Sequence, residues 1–334
     1  MSRRDRVYHR RVVVDPVHLM LLACGAVFAL NMGGSGLAPS FSVALGAGLL
    51  SRRAAALLYG VCVIAGAVLL GQLVAKTLSA GIVPPADMTP VRVLCILGAA
   101  TLSLFLANAL GVPQSTSWVT VFALVAAGLQ IGHLETDVLL HRLLPAWILM
   151  PLLAYGVTLV IMRRLYPLRP SNFRLHERLR RHEGKIRWAV LGTSCYVAMA
   201  IGSNNVGNVV GPLAAAGAVD VLTGLALMAP VFGLGALVFP EPARTVGRSI
   251  VPIGPVAASL VSFVVGTMLL CASWYGIPQS LVQLNAAAVI AVWRVKEDAS
   301  AASEHPVLQR MLLLWLVTPL ISVLVTLALL WIVG

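Results

Sequence analysis

Charged residues are scarce in this sequence. Only 11% of the 334 residues are charged and only 12 are Asp or Glu, whereas 59% are hydrophobic. A soluble domain usually carries about a quarter charged residues, so this deficit excludes an ordinary soluble or disordered chain. The mean hydropathy of +0.92 places the chain among polytopic helical membrane proteins. A membrane β-barrel is excluded because long apolar blocks stand in place of short alternating segments.

Recognisable catalytic and metal-binding motifs are also absent. The sequence contains no HExxH, no GxSxG, no P-loop and no dinucleotide-binding fingerprint. Its five cysteines lie singly in apolar stretches without a CxxC pair. They therefore indicate small core residues and not disulfides or metal ligands. We expect no enzyme activity, no metal and no organic cofactor.

Positive charge is concentrated in a few loops. The net charge is +12, and arginines cluster near the N-terminus and over 163–187. Basic loops between apolar blocks are typical of the cytoplasmic side of membrane proteins, where the lipid is anionic. No aromatic pattern of an RNA-binding surface accompanies the charge. We therefore expect the lipid bilayer, and not nucleic acid, as the macromolecular partner.

Three short motifs occur twice in the same order, at separations of 169, 165 and 168 positions. By their first residues the pairs are Gly33 with Gly202, Gly111 with Gly276, and Trp147 with Trp315. A nearly constant separation indicates an internal duplication, and the repeats of transporters are often inverted. We predict an all-α integral membrane protein of two tandem inverted repeats. Each repeat has about five to six helical segments, with broken or re-entrant helices.

The duplication divides the chain into four predicted parts. These are a basic N-terminal tail over 1–16, a transmembrane repeat over 17–162, a basic cytoplasmic loop over 163–187 and a second transmembrane repeat over 188–334. Blocks such as 36–50 and 206–220 are shorter than the ~20 residues that span a bilayer. Short, interrupted blocks at matching places point to a transporter's binding site. The predicted location is the cell (inner or plasma) membrane, with a homodimer left open.

The most polar interrupted block is 201–213, which contains Asn204, Asn205, Asn208 and Pro212. Lipid cannot satisfy amide side chains or a broken backbone, so such a block must pack in protein or line a wet cavity. On a helix, residues four apart share one face. We predict a short polar-faced helix that ends or bends where a solute sits. The alternative is that these small and amide residues only pack helices together.

These motifs resemble those of the inorganic phosphate transporter (PiT) family, also described as phosphate/sulfate permeases. Family members carry Gly-Ala-Asn-Asp-Val-Ala-Asn-Ala once per half. Residues 202–213 are similar to the second copy, and residues 33–41 are similar to a degenerate first copy. The family's Gly-x-Pro-x-Ser-Thr-Thr-His signature resembles 111–118 well and 276–283 in part. The resemblance covers the chain apart from the N-terminal tail and the central loop.

The resemblance implies a secondary transporter, or permease, of an inorganic oxyanion. Phosphate is the first expected substrate, carried by alternating access with sodium or protons as coupling ion. Two alternatives stay open on the same scaffold: a sulfate or sulfite permease, and transport of a different solute. A third alternative is a degenerate partner protein without transport of its own.

In the family, the two signature turns open short re-entrant helices whose N-termini hold the anion. A helix N-terminus presents free N–H groups and a partial positive charge, and hydroxyl groups add donors. No arginine or lysine lies within either signature of this chain. The expected anion-binding residues are Ser115, Thr116 and Ser280, followed by Ser117, Gln114 and Gln279.

The acidic positions of both family motifs are lost in this chain. Gly36 and Asn205 stand where the family has aspartates, which are thought to ligate the coupling cation. In the second signature, Leu281, Val282 and Gln283 replace Thr, Thr and His. Hard cations favour carboxylate and carbonyl oxygens, so any remaining cation ligands here are neutral. The expected residues of this cation site or polar helix face are Asn204, Asn205, Asn208 and Ser35.

Overall fold

The computed structural model describes residues 15–109, 114–166, 170, 172–239, 254–296 and 306–333. These residues form thirteen α-helices with a short 3₁₀ turn, a π-helical turn over Val138–Leu143 and no strand. The α-helices are α1 Pro16–Gly46, α2 Arg52–Leu70, α3 Gln72–Ala80, α4 Pro90–Ala109, α5 Thr116–Ile131, α6 Leu144–Leu165, α7 Phe173–Arg181, α8 Glu183–Asn205, α9 Gly207–Ala215, α10 Val221–Val238, α11 Pro255–Trp274, α12 Leu281–Lys296 and α13 Pro306–Val333.

Six of the described helical segments are long and apolar enough to cross a bilayer. They are Pro16–Gly46, Arg52–Leu70, Pro90–Ala107, Val138–Leu165, Val221–Val238 and Pro255–Trp274. Large aliphatic side chains cover their outer surface; Leu57 and Val61 on α2 are 62% and 63% exposed. Exposed apolar surface of this extent is unfavourable in water and neutral in lipid. The predicted multi-pass, all-helical membrane fold is confirmed.

The two halves of the chain interleave instead of lying side by side. Helices α1 and α2 of the first half pack against α10 and α8 of the second half, respectively. The later helices of each half behave in the same way, since α6 packs against α12 and α13 packs against α5. If α1, α2, α5 and α6 correspond to α8, α10, α12 and α13, each contact has a counterpart with the halves exchanged. This reciprocity is what a two-fold relation between the repeats produces.

Helices α2 and α10, which occupy corresponding places, run in opposite directions. A Cβ added at Gly60 would lie 3.7 Å from Gly233 Cα, and one added at Gly71 would lie 3.2 Å from Leu225 Cδ2. From the first of these contacts to the second, the residue number increases on α2 and decreases on α10, so the two helices are antiparallel. This is the orientation that inverted repeats require. The inversion of the complete repeats stays a prediction.

The helix is broken at the second copy of the motif and continuous at the first. In the second copy, α8 ends at Asn205 and α9 begins at Gly207, and Val206 between them keeps helical dihedral angles (φ −62, ψ −30), so the break is a one-residue interruption several residues before Pro212. The first copy lies inside α1, which runs unbroken through Pro39. A proline inside a membrane helix is tolerated where nearby hydroxyls satisfy the freed carbonyls. The Ser40 hydroxyl donates to the Gly36 carbonyl at 2.9 Å, one residue after the Ser35 carbonyl whose helical donor Pro39 removes. The prediction of a separate short block over 36–50 is therefore wrong.

The predicted central loop is largely helical. Helix α6 extends to Leu165, α7 covers Phe173–Arg181 and α8 already begins at Glu183. Helix α8 therefore begins a few residues before the predicted boundary at 188. Most of the basic N-terminal tail lies outside the described residues. The division of the chain into four parts stays a prediction.

Close helix packing gives a testable expectation at Gly66. A Cβ at this position would overlap the carbonyl oxygen of Met199 on α8. Gly66→Ala is expected to lower the free energy of unfolding by about 1–3 kcal/mol, because overpacking forces the helices apart. Gly156→Ala on α6 is the matched control, since its Cβ would meet no atom within 4 Å. Thermal unfolding in detergent gives the midpoints of the two variants. Equal midpoints for Gly66→Ala and Gly156→Ala would contradict the close packing of α2 on α8.

Candidate functional site

Two short helices begin in the same way inside the bundle. Helices α5 and α12 each have 16 residues. At 1.5 Å per residue they are about 24 Å long, shorter than a hydrocarbon core of about 30 Å. The Ser115 hydroxyl accepts a hydrogen bond from the Trp118 amide at 3.2 Å. The Ser280 hydroxyl accepts one from the Gln283 amide at 3.3 Å. The two serines are therefore equivalent N-caps.

The amides at both helix starts follow the same bonding pattern. The Val119 amide donates to the Ser115 carbonyl at 3.1 Å, and the Leu284 amide donates to the Ser280 carbonyl at 3.2 Å. The first two amides of each helix precede these bonds and have no acceptor within the helix. They lie at the positive end of the helix dipole. Each helix start can therefore donate hydrogen bonds to an anion.

The turn that precedes α5 and the turn that precedes α12, called here the first and the second turn, are joined to each other. The Ser117 hydroxyl donates to the Gln279 carbonyl at 3.1 Å. The same hydroxyl accepts from Asn208 Nδ2 at 3.3 Å, and Trp147 Nε1 donates to the Pro278 carbonyl at 2.9 Å. Residues 162 positions apart in the chain thus meet in a buried contact. Pro113, the partner of Pro278 in the first signature, lies outside the described residues.

Asn204 holds the second turn in place through both the nitrogen and the oxygen of its side-chain amide. Its Nδ2 donates to the Ile277 carbonyl at 2.9 Å and to the Ser273 hydroxyl at 3.1 Å. Its Oδ1 accepts from the Gln279 amide at 2.9 Å. Asn204 is fully buried. The motif asparagine therefore positions the backbone that leads into α12.

A left-handed glycine directs the chain from α11 into the second turn. Gly276 has φ +64, a conformation that side chains beyond glycine rarely adopt. Its amide donates to the Ser273 carbonyl at 2.9 Å, and the Ile277 amide donates to the Ala272 carbonyl at 2.8 Å. These two bonds form the Schellman ending of a helix. The glycine that opens the second signature is thus required by the turn itself.

The site is electrically neutral apart from its helix dipoles. Among the described residues, every buried polar side chain apart from the aromatic ones is Asn, Gln, Ser or Thr. Arg142 lies at the rim, where its guanidinium donates to the Tyr275 carbonyl. An anion here would be held by amides and hydroxyls.

Several buried polar atoms around the turns have no hydrogen-bond partner among the described residues. A buried polar group without a partner costs about 1–3 kcal/mol, so such a concentration indicates a place for a ligand or water. Gln279 is 0% exposed, and both atoms of its side-chain amide belong to this group. The atoms are Gln114 Oε1, Gln279 Oε1 and Nε2, Gln283 Oε1, Asn205 Oδ1, Asn208 Oδ1 and Trp118 Nε1.

Most of the sequence-predicted site residues are brought to one region. The two joined turns contain Gln114, Ser115, Thr116, Ser117, Gln279 and Ser280. Asn204 and Asn208 are hydrogen-bonded to these turns. Ser35 is different: it is half-buried, and its hydroxyl donates to the Met32 carbonyl of its own helix at 2.7 Å. The part each residue takes in ligand binding stays a prediction.

Two tryptophans at the site were not expected. The position of Trp147 at the end of an apolar block favours an interfacial anchor, but the side chain is 7% exposed and holds Pro278. The ring of Trp118 lies beside it, with ring centroids 5.1 Å apart and the planes tilted by 38°. The repeated Trp-x-x-x-Pro motif is the sequence feature that could have indicated a role for Trp147 at the site. Trp118 carries no such signal beyond its place as the last residue of the first signature, 111–118.

A helical membrane protein that presents two buried, facing helix N-termini is built as a secondary transporter, in which broken helices meet the substrate inside the bilayer. Comparison with known proteins agrees with this class. The chain belongs to the phosphate transporter family, whose family model matches residues 32–326. The resemblance found in the sequence is thereby confirmed.

Individual relatives cover nearly the whole chain. It is 35% identical over 297 residues to the sulfate permease CysP of Bacillus subtilis, which covers 88% of this chain and 82% of the relative. A Pyrococcus abyssi protein named as a candidate phosphate permease is 26% identical, over 96% of this chain and 100% of its own. A solved structure titled the sodium-dependent phosphate transporter matches with a TM-score of 0.81 at 22% identity, over 95% of this chain and 98% of that one. This last likeness shows the fold.

Proposed function

We propose that this chain is a secondary permease of a tetrahedral inorganic oxyanion, with phosphate as the first candidate, and that it works by alternating access. The observation that carries the proposal is the 3.1 Å bond from Ser117 to Gln279, which joins the starts of α5 and α12. Each helix N-terminus carries a partial charge of roughly +0.5. Two such ends with capping hydroxyls supply positive potential and donors without a lysine or arginine.

Phosphate is favoured by the mixed hydrogen-bonding character of the two glutamines. Phosphate keeps a proton near neutral pH, so its site needs an acceptor beside the donors. A glutamine amide offers both, and the buried Gln114 and Gln279 oxygens have no partner among the described residues. Sulfate is the second candidate. It only accepts hydrogen bonds, and the relative at 35% identity is named as a sulfate permease.

Sodium is the proposed coupling ion. The buried amides and hydroxyls of the described residues do not titrate near neutral pH, so they offer no proton carrier. Asn205 Oδ1 and Asn208 Oδ1 are buried oxygens without a partner among those residues. Oxygen atoms are the ligands that hard cations prefer. Neutral oxygens would hold a monovalent ion more weakly than carboxylates do.

Uptake into liposomes tests the proposal. The purified chain is reconstituted, and entry of radiolabelled phosphate and sulfate is measured under an inward sodium gradient, an inward proton gradient or neither. We expect phosphate entry that the sodium gradient accelerates. Faster sulfate than phosphate entry would establish the second candidate. Entry of neither anion above empty liposomes would contradict the proposal and favour a non-transporting partner protein.

Asn205→Asp tests the cation site of this proposal. A carboxylate should lower the sodium concentration for half-maximal uptake about tenfold, which corresponds to about 1.4 kcal/mol of added cation binding. Asn31→Asp is the control, because Asn31 is an equally buried amide that bonds the Thr101 carbonyl. It should not strengthen sodium dependence. An unchanged sodium response in an active Asn205→Asp protein would count against Asn205 as a cation ligand.

A further inference from the structure

Tyr59 on α2 is a fully buried side chain whose polar atom is unused. It is 0% exposed, and its hydroxyl has no hydrogen-bond partner among the described residues. Phenylalanine would fill the same space without burying an unpaired hydroxyl. A buried unpaired group of this kind requires an explanation, and a bound ligand is one. The sequence motifs give no indication of a role for this residue.

The Tyr59 hydroxyl lies where a side chain at position 36 would lie. A Cβ added at Gly36 would overlap the hydroxyl oxygen and would stand 2.9 Å from the Tyr59 Cζ atom. When Gly33 is set on Gly202, Gly36 is the first-repeat counterpart of Asn205. The absence of a side chain at Gly36 is therefore what makes room for the tyrosine oxygen.

Both repeats consequently place one unpaired buried oxygen at the same motif position. In the second repeat the atom is Oδ1 of Asn205 itself. In the first repeat it is the hydroxyl oxygen of Tyr59, which reaches the position of Gly36 from the neighbouring helix. The matched location in two halves of one duplicated scaffold indicates a shared use of the two oxygens.

The chemistry of the free atoms points to a cation. Asn208 gives its Nδ2 to Ser117 and leaves its oxygen free, so Asn205, Asn208 and Tyr59 all offer oxygen. A set of oxygens suits a hard cation. The absence of negative charge suits a monovalent ion, and the described residues hold no group of His, Cys, Asp and Glu that could bind a metal ion.

We propose that Tyr59 is a ligand of the alkali-metal coupling cation and supplies to the first repeat the oxygen that Gly36 lacks. This inference rests on the proposed function, since it adds a residue to the cation site of the same permease. Tyrosine in place of an acidic residue keeps the first half neutral. It also ties cation binding to the packing of α1 against α2.

The test replaces the hydroxyl and keeps the ring. Tyr59→Phe is expected to raise the sodium concentration for half-maximal oxyanion uptake at least about tenfold, with uptake at saturating sodium within about threefold of the unchanged protein. The thermal midpoint without sodium should not fall, because no hydrogen bond is lost. Tyr196→Phe is the matched control: it removes a tyrosine hydroxyl that bonds Thr267 at 3.1 Å, and its sodium curve should not move.

A rescue variant separates ligand binding from packing. Gly36→Ser alone should impair uptake, since its Cβ would overlap the Tyr59 hydroxyl. Gly36→Ser combined with Tyr59→Phe returns an oxygen to the same place, with a small shift of the ring. The double variant should recover sodium dependence relative to Tyr59→Phe. Failure of that recovery, with the protein folded, would contradict a ligand role for this position.

A measurement of sodium binding in the absence of transport distinguishes failure of the Tyr59 proposal from failure of the proposed function. Thermal midpoints of the purified protein are compared in sodium chloride and choline chloride, with no oxyanion present. Sodium should stabilise the unchanged protein and stabilise Tyr59→Phe less. If sodium stabilises but no oxyanion enters liposomes, the proposed function fails and the cation site stands. If the sodium response is identical in both proteins, the role of Tyr59 is overturned.

Discussion

Ser115→Ala combined with Ser280→Ala is expected to reduce oxyanion uptake at least about 100-fold, to the level of empty liposomes. Each hydroxyl caps one of the two helices whose starts are joined by the bond from Ser117 to Gln279. A hydrogen bond to a charged group contributes about 1.5–3 kcal/mol. Loss of two such donors therefore removes at least about 3 kcal/mol of anion binding, or more than two orders of magnitude. Initial rates of radiolabelled phosphate and sulfate entry measure the effect.

A loss of helix capping has to be separated from a loss of anion binding. Replacing an N-cap serine by alanine costs about 1 kcal/mol of stability anywhere. Ser51→Ala is the matched control, because Ser51 caps α2 through the Ala54 amide at 3.3 Å in an exposed place. It should lower stability slightly and leave uptake intact. Threonine at both positions keeps the hydroxyls and should keep uptake. Uptake in the alanine pair equal to that of the unchanged protein would remove the proposed anion site.

Asn204→Leu is expected to abolish uptake and to lower the free energy of unfolding by about 3 kcal/mol or more. Leucine has a similar volume but leaves the Gln279 amide and the Ile277 carbonyl buried and unpaired. Each orphaned group costs about 1–3 kcal/mol. The second turn would then lose the backbone geometry that presents the start of α12. Thermal unfolding in detergent and liposome uptake measure the two effects.

Asn172→Leu is the control for this variant. Asn172 is also a largely buried amide, and its Nδ2 donates to the carbonyls of Arg164 and Leu165 at 3.3 Å. Its loss should reduce stability without stopping transport, because these bonds hold the chain against the end of α6. If Asn204→Leu transported normally, Asn204 would not position the second turn.

Much of the site followed from local patterns that repeat. The family resemblance implied that both signature turns open short helices, and the structure has Ser115 and Ser280 as equivalent caps of such helices. Hydrophobic length predicted the bilayer spans, because each span is decided by its own residues. The duplicated motifs predicted that corresponding turns exist. All of these are properties of short stretches of chain.

Contacts between residues far apart in the chain could not be predicted from such local patterns. Asn204 was expected at a cation site or polar helix face, but its amide is bonded to residues about 70 positions away. The bond from Ser117 to Gln279 spans 162 positions. Tyr59 reaches Gly36 from another helix and belongs to no motif. These roles depend on how helices pack, which neither composition nor spacing specifies.

The prediction of a separate short block over 36–50 was wrong for a similar reason. Gly36 and Pro39 are residues that weaken a helix in isolation. In the folded chain, α1 packs along α10, α4 and α8, and the Ser40 hydroxyl donates to the Gly36 carbonyl within the same turn. Tertiary packing therefore overrides the local preference. The second copy breaks at Val206, where Asn204 and Asn208 bond to two different turns.

Protection of single cysteines by the anion tests most directly whether both helix starts share one site. Thr116→Cys and Leu281→Cys, at the first positions of α5 and α12, are made separately in a chain whose five native cysteines are replaced and which retains uptake. Labelling by a thiol reagent is measured against phosphate and sulfate concentration. One anion should protect both cysteines with the same half-protecting concentration, because both line one site. Protection of only one cysteine, or of neither in a protein that transports the anion, would contradict the account.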